Sequence, residues 1–240
     1  MKRLFILLPL AAIFFAACHI GGHNRIKGNG TIKTESRSAA NFSSVDVSGN
    51  IEVFVKQDSS YSVRVEADEN LMSHINVRTE GDELIIEPAN NRNLSGSKSI
   101  KVYVSAPAFK RLDASGASGI TAENVLTGDA FDIDVSGASH ATIELNAPKV
   151  VAELGGASHI TLKGKTKDFN LEADGASHAK CFELLTENTE VDISGASSAE
   201  VFASVDLRAD ASGASHIRYK GDAKNYVGNA SGAGSINKVN

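Results

Sequence analysis

From Leu112 to the end of the chain, apolar residues return at every second position, and the alternation resets at each copy of a Gly-Ala step. The glycines of that step are Gly116, Gly137, Gly156, Gly175, Gly195, Gly213 and Gly232, at intervals of 21, 19, 19, 20, 18 and 19 residues. Two places before the glycine stand Ala114, Val135, Leu154, Ala173, Ile193, Ala211 and Ala230. Four places after it stand Ile120, Ala141, Ile160, Ala179, Ala199, Ile217 and Ile236. Period two marks a strand with one buried face, and no 3.6-residue stripe competes with it in this half. Each repeat therefore predicts a strand, a tight turn, a second strand and a looser third side. One such coil cannot bury its apolar face alone, so the coils must stack into parallel sheets around a shared interior. The expected fold is all-β: a right-handed parallel β-helix, a solenoid of coils of about 19 residues over 106–240, handed as parallel crossovers generally are.

At each corner Gly admits a positive φ. The Ala that follows in all seven copies implies a cramped site with room for one methyl, and the serines are placed to cap backbone groups freed by the turn. Cys181, six places after its glycine, aligns with Ala, Ile, Leu, Val and Tyr and is expected to face the core.

Residues 26–105 lack the Gly-Ala step but stay rich in strand patterns: "IEVFVKQ" (51–57), "YSVRVE" (61–66), "INVRT" (75–79), "ELIIE" (83–87) and "IKVYV" (100–104). "TEGDE" reads as a hairpin turn and "NNRNLSGSKS" (90–99) as a polar loop. A solenoid needs covered ends. Residues 26–105 are accordingly expected to form an N-terminal β-rich capping region, with Asn225, Asn229, Asn237 and Asn240 as a polar cover at the other end.

The first residues change the picture of location. Lys2 and Arg3 precede fourteen apolar residues, Leu4 to Ala17, too few for a typical spanning helix but suited to a signal segment. The reading is a signal peptide at 1–17 and a tether at 18–25. "FFAAC" (14–18) resembles a bacterial lipobox, with Phe15 where Leu is usual. The resemblance implies lipid attachment at Cys18, which leaves Cys181 without a disulfide partner. It also implies an outer-membrane lipoprotein of the cell envelope, on the periplasmic face or the surface. "HIGGHN" lacks a short acidic export signal, which favours the periplasmic face.

With 240 residues, 42% of them hydrophobic, the chain is long enough for a substantial core. Its net charge is −5, and without 1–17 it carries 22 basic against 29 acidic residues. That balance excludes an electrostatic nucleic-acid binder.

Two repeat positions carry chemistry. Three places after the glycine come Gly119, His140, His159, His178, Ser198, His216 and Ser235. Equivalent residues stack at about 4.8 Å in parallel coils, so His140, His159, His178 and His216 form a candidate ligand or metal ladder. Zinc–nitrogen bonds of about 2.0–2.1 Å require neighbouring rings to splay toward one ion. A column of neutral stacked imidazoles is the structural alternative. Three places before the glycine come Asp113, Asp134, Glu153, Glu172, Asp192 and Asp210, then Asn229. This is a candidate cation ladder, with Ca²⁺ the fitting ion. Its alternative is a solvated face whose charges discourage sideways sheet pairing. Phe182 and Phe202 are either outward platforms for sugar rings or corner packing. No G-x-S-x-G, Walker, H-E-x-x-H or G-x-G-x-x-G motif occurs, so no catalytic residue is identified and no cofactor is called for.

"IKGNGTIKTESR" (26–37), "FSSVDVSGNIEVFV" (42–55), "VRVEADENLM" (63–72), the repeated "SGAS" corners and "GSIN" (234–237) together resemble the head-GIN domain family, labelled auto-transporter adhesins, over about 26–240. The resemblance implies a β-helical lipoprotein or secreted protein of Gram-negative bacteria and carries no catalytic residues. The expected role is non-enzymatic binding or adhesion through a repetitive face. The expected contacts are a membrane through the N-terminal lipid and a glycan or cell-surface protein, with no nucleic acid. The alternative is a polysaccharide-active β-helical enzyme, a lyase or hydrolase. Its mark is a pocket gathering carboxylates with Lys or Arg.

Overall fold

The computed structural model describes residues 25–240; the expected signal segment, Cys18 and the tether up to Asn24 lie outside them. The described chain is an all-β solenoid of stacked coils, as the period demanded. Each corner joins two strands whose neighbours lie one repeat away and run parallel: Leu112 faces Ile133, Ile133 faces Ala152, Ala152 faces Leu171, and Leu171 faces Val191. The inward columns are the aligned apolar positions. Ile120, Ala141, Ile160, Ala179, Ala199 and Ile217 are all buried, as are Leu112, Ile133, Ala152, Leu171, Val191 and Ala209. Burying one such Ile or Leu contributes about 1.5–3 kcal/mol, and the columns repeat that gain on every rung. Cys181 lies fully inside this core, and burial pushes its thiol up to about 12.

The corners need Gly for two reasons. Each glycine of the seven Gly-Ala corners holds a positive φ, from 68° at Gly232 to 77° at Gly116. Each also lies against the glycine of the coil beneath: a Cβ on Gly175 would stand 2.4 Å from the carbonyl oxygen of Gly156. That carbonyl accepts the N–H of Ala176 at 2.7 Å, and the same bond recurs at every corner from Ala117 to Ala233. The alanines themselves point outward and are exposed, so the cramped methyl site expected from their repetition does not exist. Gly and Ala both face solvent at the turn, and the chain re-enters the core at the next residue. The inward group is serine: Ser118, Ser139, Ser158, Ser177, Ser197 and Ser215 are buried. Their hydroxyls act as corner caps; those of Ser118, Ser177 and Ser215 donate to the carbonyl three residues earlier at 2.7–2.8 Å.

Coil length shows in local irregularity. The 20-residue coil between Gly175 and Gly195 absorbs its extra residue in a register shift opposite Thr161–Lys163. Over the three middle coils the strand bends without breaking, so that His140–Leu154, His159–Ala173 and His178–Ile193 are each continuous and wrap two sides.

The stacking starts well before position 106. Ser44–Val47 and Ile51–Gln57 flank a corner at Gly49 and pair parallel with Arg111–Ala114 and Gly119–Ala122 above them. Beneath lie Glu83–Pro88 and Ile100–Ala106, again parallel. The N-terminal region thus supplies two rungs as well as a cover. The cover is antiparallel: Ser62–Asp68 pairs with Ile100–Ala106 and with Ile32–Arg37, and Ile75–Glu80 forms the expected hairpin with Glu83–Pro88. The polar loop at 90–99 contains a short strand, Asn93–Ser95, paired with Arg25–Lys27, so Arg25 belongs to the fold and not to the tether. Asp68 is the clamp of this end. Its buried carboxylate accepts the N–H of Gly30 at 2.6 Å, and the N–H and hydroxyl of Ser97 at 2.8 and 2.7 Å. Burial alone would raise its pKa, but these bonds outweigh burial and hold the carboxyl below the ordinary carboxylate range.

Candidate functional site

The two sheet faces that meet at the corner carry the two chemical columns. On the face after the corner, registry links His140, His159, His178, Ser198, His216 and Ser235 in one outward line. The line continues downward through Gly119, Glu52 and Lys101. The structure gives its histidines three different settings. His159 and His178 stack, with ring centroids 4.9 Å apart and planes within 7°. His216, separated from them by Ser198, meets Ser235 Oγ through Nδ1 at 2.9 Å. His140 has Nε2 3.3 Å from Glu52 Oε2, across the rung where Gly119 has no side chain. The next outward column holds Phe54, Thr121, Thr142, Thr161 and Lys180. Phe54 stacks on Tyr103 at 5.2 Å, and the Arg64 guanidinium lies over Tyr103. Phe182 is half-buried, with Arg218 and Lys220 against its ring.

On the face before the corner, Asp113, Asp134, Glu153, Glu172, Asp192 and Asp210 form one unbroken line. The line has a seventh carboxylate that the sequence reading missed, Asp46 beneath Asp113. Its signal was present in "VDVSGN", where Asn50 stands in place of the corner Ala. Glu52 was missed for the same reason. Cations guard the ends of the ladder: Arg111 pairs with Asp113 and Asp132, and Arg208 with Glu190 and Asp210. Asn229 closes it, donating to Asp210 at 2.7 Å. Among the described residues no Lys or Arg is ion-paired with Asp134, Glu153, Glu172 or Asp192. These four, with Asp174, line an open groove of about 490 Å³. Burial and the neighbouring carboxylate, Asp113 for Asp46 and Glu153 for Asp134, raise the pKa of Asp46 and Asp134. Burial also raises that of Asp113, against the pull of Arg111. One oxygen of Asp113 is buried without a hydrogen-bond partner.

A second cleft of about 670 Å³ opens beside Gly128–Asp132; the two extra residues of the longest coil, 21 residues from Gly116 to Gly137, are taken up elsewhere, between Thr121 and Leu126. Phe109, Phe131 and Val151 give it an apolar part, and its lining also gathers Lys110, Arg111 and Lys149 with Asp129, Asp132 and Glu153, the mixture of charges that marks the enzyme alternative. Among the described residues no three His, Cys, Asp or Glu side chains converge as a preformed metal centre, so neither column is a ready multidentate site. What the arrangement offers is repetition: a line of carboxylates that concentrates cations, and beside it a line of imidazoles and hydroxyls.

The family described as "Putative auto-transporter adhesin, head GIN domain" matches residues 41–223, which contain most rungs of both ladders. The chain belongs to this family. No curated protein matches the head GIN chain. Its fold is similar to that of a "putative adhesin" from Bacteroides fragilis, with TM-score 0.83 and 20% identity over 89% of this chain and 100% of that one. It is also similar to a "putative lipid binding protein" from Parabacteroides distasonis, with TM-score 0.72 and 21% identity over 90% and 100%. A "putative adhesin" from Parabacteroides merdae gives TM-score 0.72 and 21% identity over 91% and 100%. At these identities the likeness shows the fold. No helix among the described residues is long and apolar enough to cross a membrane.

Proposed function

We propose that this head GIN protein is a cell-envelope binding module, held to the outer membrane by a lipid on Cys18, that acts by adhesion and not by catalysis. The observation that carries the reading is the continuity of the ladders. The acidic line runs from Asp46 to Asp210 and the imidazole line from Glu52 to Ser235 on neighbouring faces. A reaction centre gathers unlike groups at one point and breaks a repeat there, whereas a surface that holds an extended partner benefits from repeating itself. The adhesin names of the family and of two structural neighbours support the same reading. The partner on this reading is a glycan or a cell-surface protein.

The test is binding of the purified protein to arrays of glycans and surface proteins, run beside an assay for release of new chain ends from acidic polysaccharides. Binding without product release is the expected outcome. Product release would instead favour a polysaccharide-active enzyme, working in the second cleft, where Lys110, Arg111 and Lys149 stand with Asp129, Asp132 and Glu153. For the anchor, Cys18→Ser is expected to move the protein from the membrane fraction to the soluble or unprocessed fraction. Unchanged partitioning would remove the lipid from the account.

A further inference from the structure

We propose that Glu52 and His140, meeting across Gly119, form a binding site for a zinc-like divalent transition metal. The proposal does not rest on the adhesion reading. Of the seven rungs aligned on Gly-Ala corners, Gly119 alone has no side chain at the imidazole position. Its absence lets the rung above and the rung below touch. His140 Nε2 and Glu52 Oε2 are 3.3 Å apart, and a Cβ on Gly119 would lie 2.2 Å from that oxygen and 2.5 Å from that nitrogen.

The spacing is long for an N–H···O hydrogen bond, which centres on about 2.9–3.0 Å. It suits two donors of one tetrahedral ion. With bonds of about 2.0–2.1 Å to nitrogen and oxygen, two tetrahedral ligands stand about 3.3–3.4 Å apart. An ion bonded to both would leave their separation unchanged. The chemistry of the pair is also right: a neutral imidazole and a carboxylate are ordinary zinc ligands. Among the described residues no Lys or Arg is ion-paired with Glu52, and the ammonium of its ladder neighbour Lys101 is placed over the Phe54 ring. His140 is about half exposed, with 47% of its side chain open to solvent, so the ion has a path in and open positions for water. His159 and His178 are engaged with each other and take no part.

Calorimetry with Zn²⁺ on the tag-free purified protein near pH 7.5, and visible spectra with Co²⁺, test the site. One ion per chain is expected, with Co²⁺ bands of a low-coordinate site, and release on acidification because ligation needs neutral imidazole. Glu52→Gln and His140→Asn should each weaken binding by about tenfold or more. Gly119→Ala should do the same. Its methyl meets only side-chain ends and its φ is not in the left-handed region, so circular dichroism should show the fold retained. His216→Asn should leave binding unchanged. Absence of binding by the wild type would overturn the proposal. So would binding that survives both Glu52→Gln and His140→Asn, or that is lost only with His159 and His178.

Discussion

Gly175→Ala adds one methyl at an exposed corner, yet the stacking makes it costly. The residue sits at φ 73°, and its new Cβ would stand 2.4 Å from the Gly156 carbonyl oxygen and 3.1 Å from its backbone nitrogen and carbon. Left-handed backbone costs an L-residue about 1–2 kcal/mol. Loss of Gly flexibility from the unfolded chain returns about 0.4–1 kcal/mol. The clash is with backbone and cannot be relieved by a rotamer. The coils must part locally, which strains the 2.7 Å bond from Ala176 N–H to that same oxygen, worth about 0.5–1.5 kcal/mol net. With overpacking of about 1–3 kcal/mol, the expected loss is about 2–4 kcal/mol. For a domain of this size that lowers the midpoint by roughly 5–15 °C. Gly81→Ala is the control. Gly81 also has a positive φ, 63°, but nothing lies within 4 Å of its Cβ position, so only the backbone cost applies and the loss should stay near about 1 kcal/mol. Ala176→Leu, one residue along and facing solvent, should fall within about 0.5 kcal/mol of wild type. Urea unfolding followed by circular dichroism ranks the three. If Gly175→Ala is no worse than Gly81→Ala, the corner stacking does not constrain the chain as argued. If Ala176→Leu is the most damaging, the alanine faces inward after all.

Cys181 should resist a thiol reagent in the native protein and react only on unfolding, because it is fully buried and its thiol is pushed up to about 12; rapid labelling at neutral pH would contradict the register. Asp68 is held below its unfolded pKa, so its contribution is present above the ordinary carboxylate range and is lost as pH falls through the depressed folded value. Asp68→Asn should therefore flatten the acid limb of the stability–pH curve, and an unaltered limb would show that the clamp is not the acid-sensitive element. Asp134 has the opposite sign: its raised pKa means the folded state prefers the protonated form, so stability is gained as pH falls through that value. Asp134→Asn should stabilise at pH 7, first by removing a partly buried charge and second by relieving repulsion from Glu153, about 0.9 kcal/mol at water's dielectric, and only the second part should shrink in high salt; destabilisation by that change would mean a bound cation or a missed hydrogen bond at the carboxylate.

The 19-residue period and the alternation around it were enough to specify the solenoid, the registry beside its Gly-Ala corners and the part of both columns that those corners carry. In stacked parallel coils, equivalent positions close to the corner have no freedom to fall anywhere but above one another. This is why His140, His159 and His178 align, why Asp113 to Asp210 form one line, and why Cys181 could be placed inside from its neighbours alone. Period cannot say which way a residue points within a turn. Ala and Ser both recur beside the glycine, and only the left-handed turn decides that Ala faces water while Ser enters the core. Nor does period reveal rungs whose corner sequence differs: Gly49 stacks under Gly116 although its neighbour is Asn50, and Glu83–Pro88 lies beneath Ser44–Val47 although it comes later in the chain. Those placements arise from the antiparallel cover and the Asp68 clamp, which bring distant segments together through contacts that no local pattern encodes. The meeting of Glu52 with His140 belongs to the same class. A glycine at 119 reads as a missing histidine in the sequence, and becomes a gap between two reactive groups only when the coils are stacked.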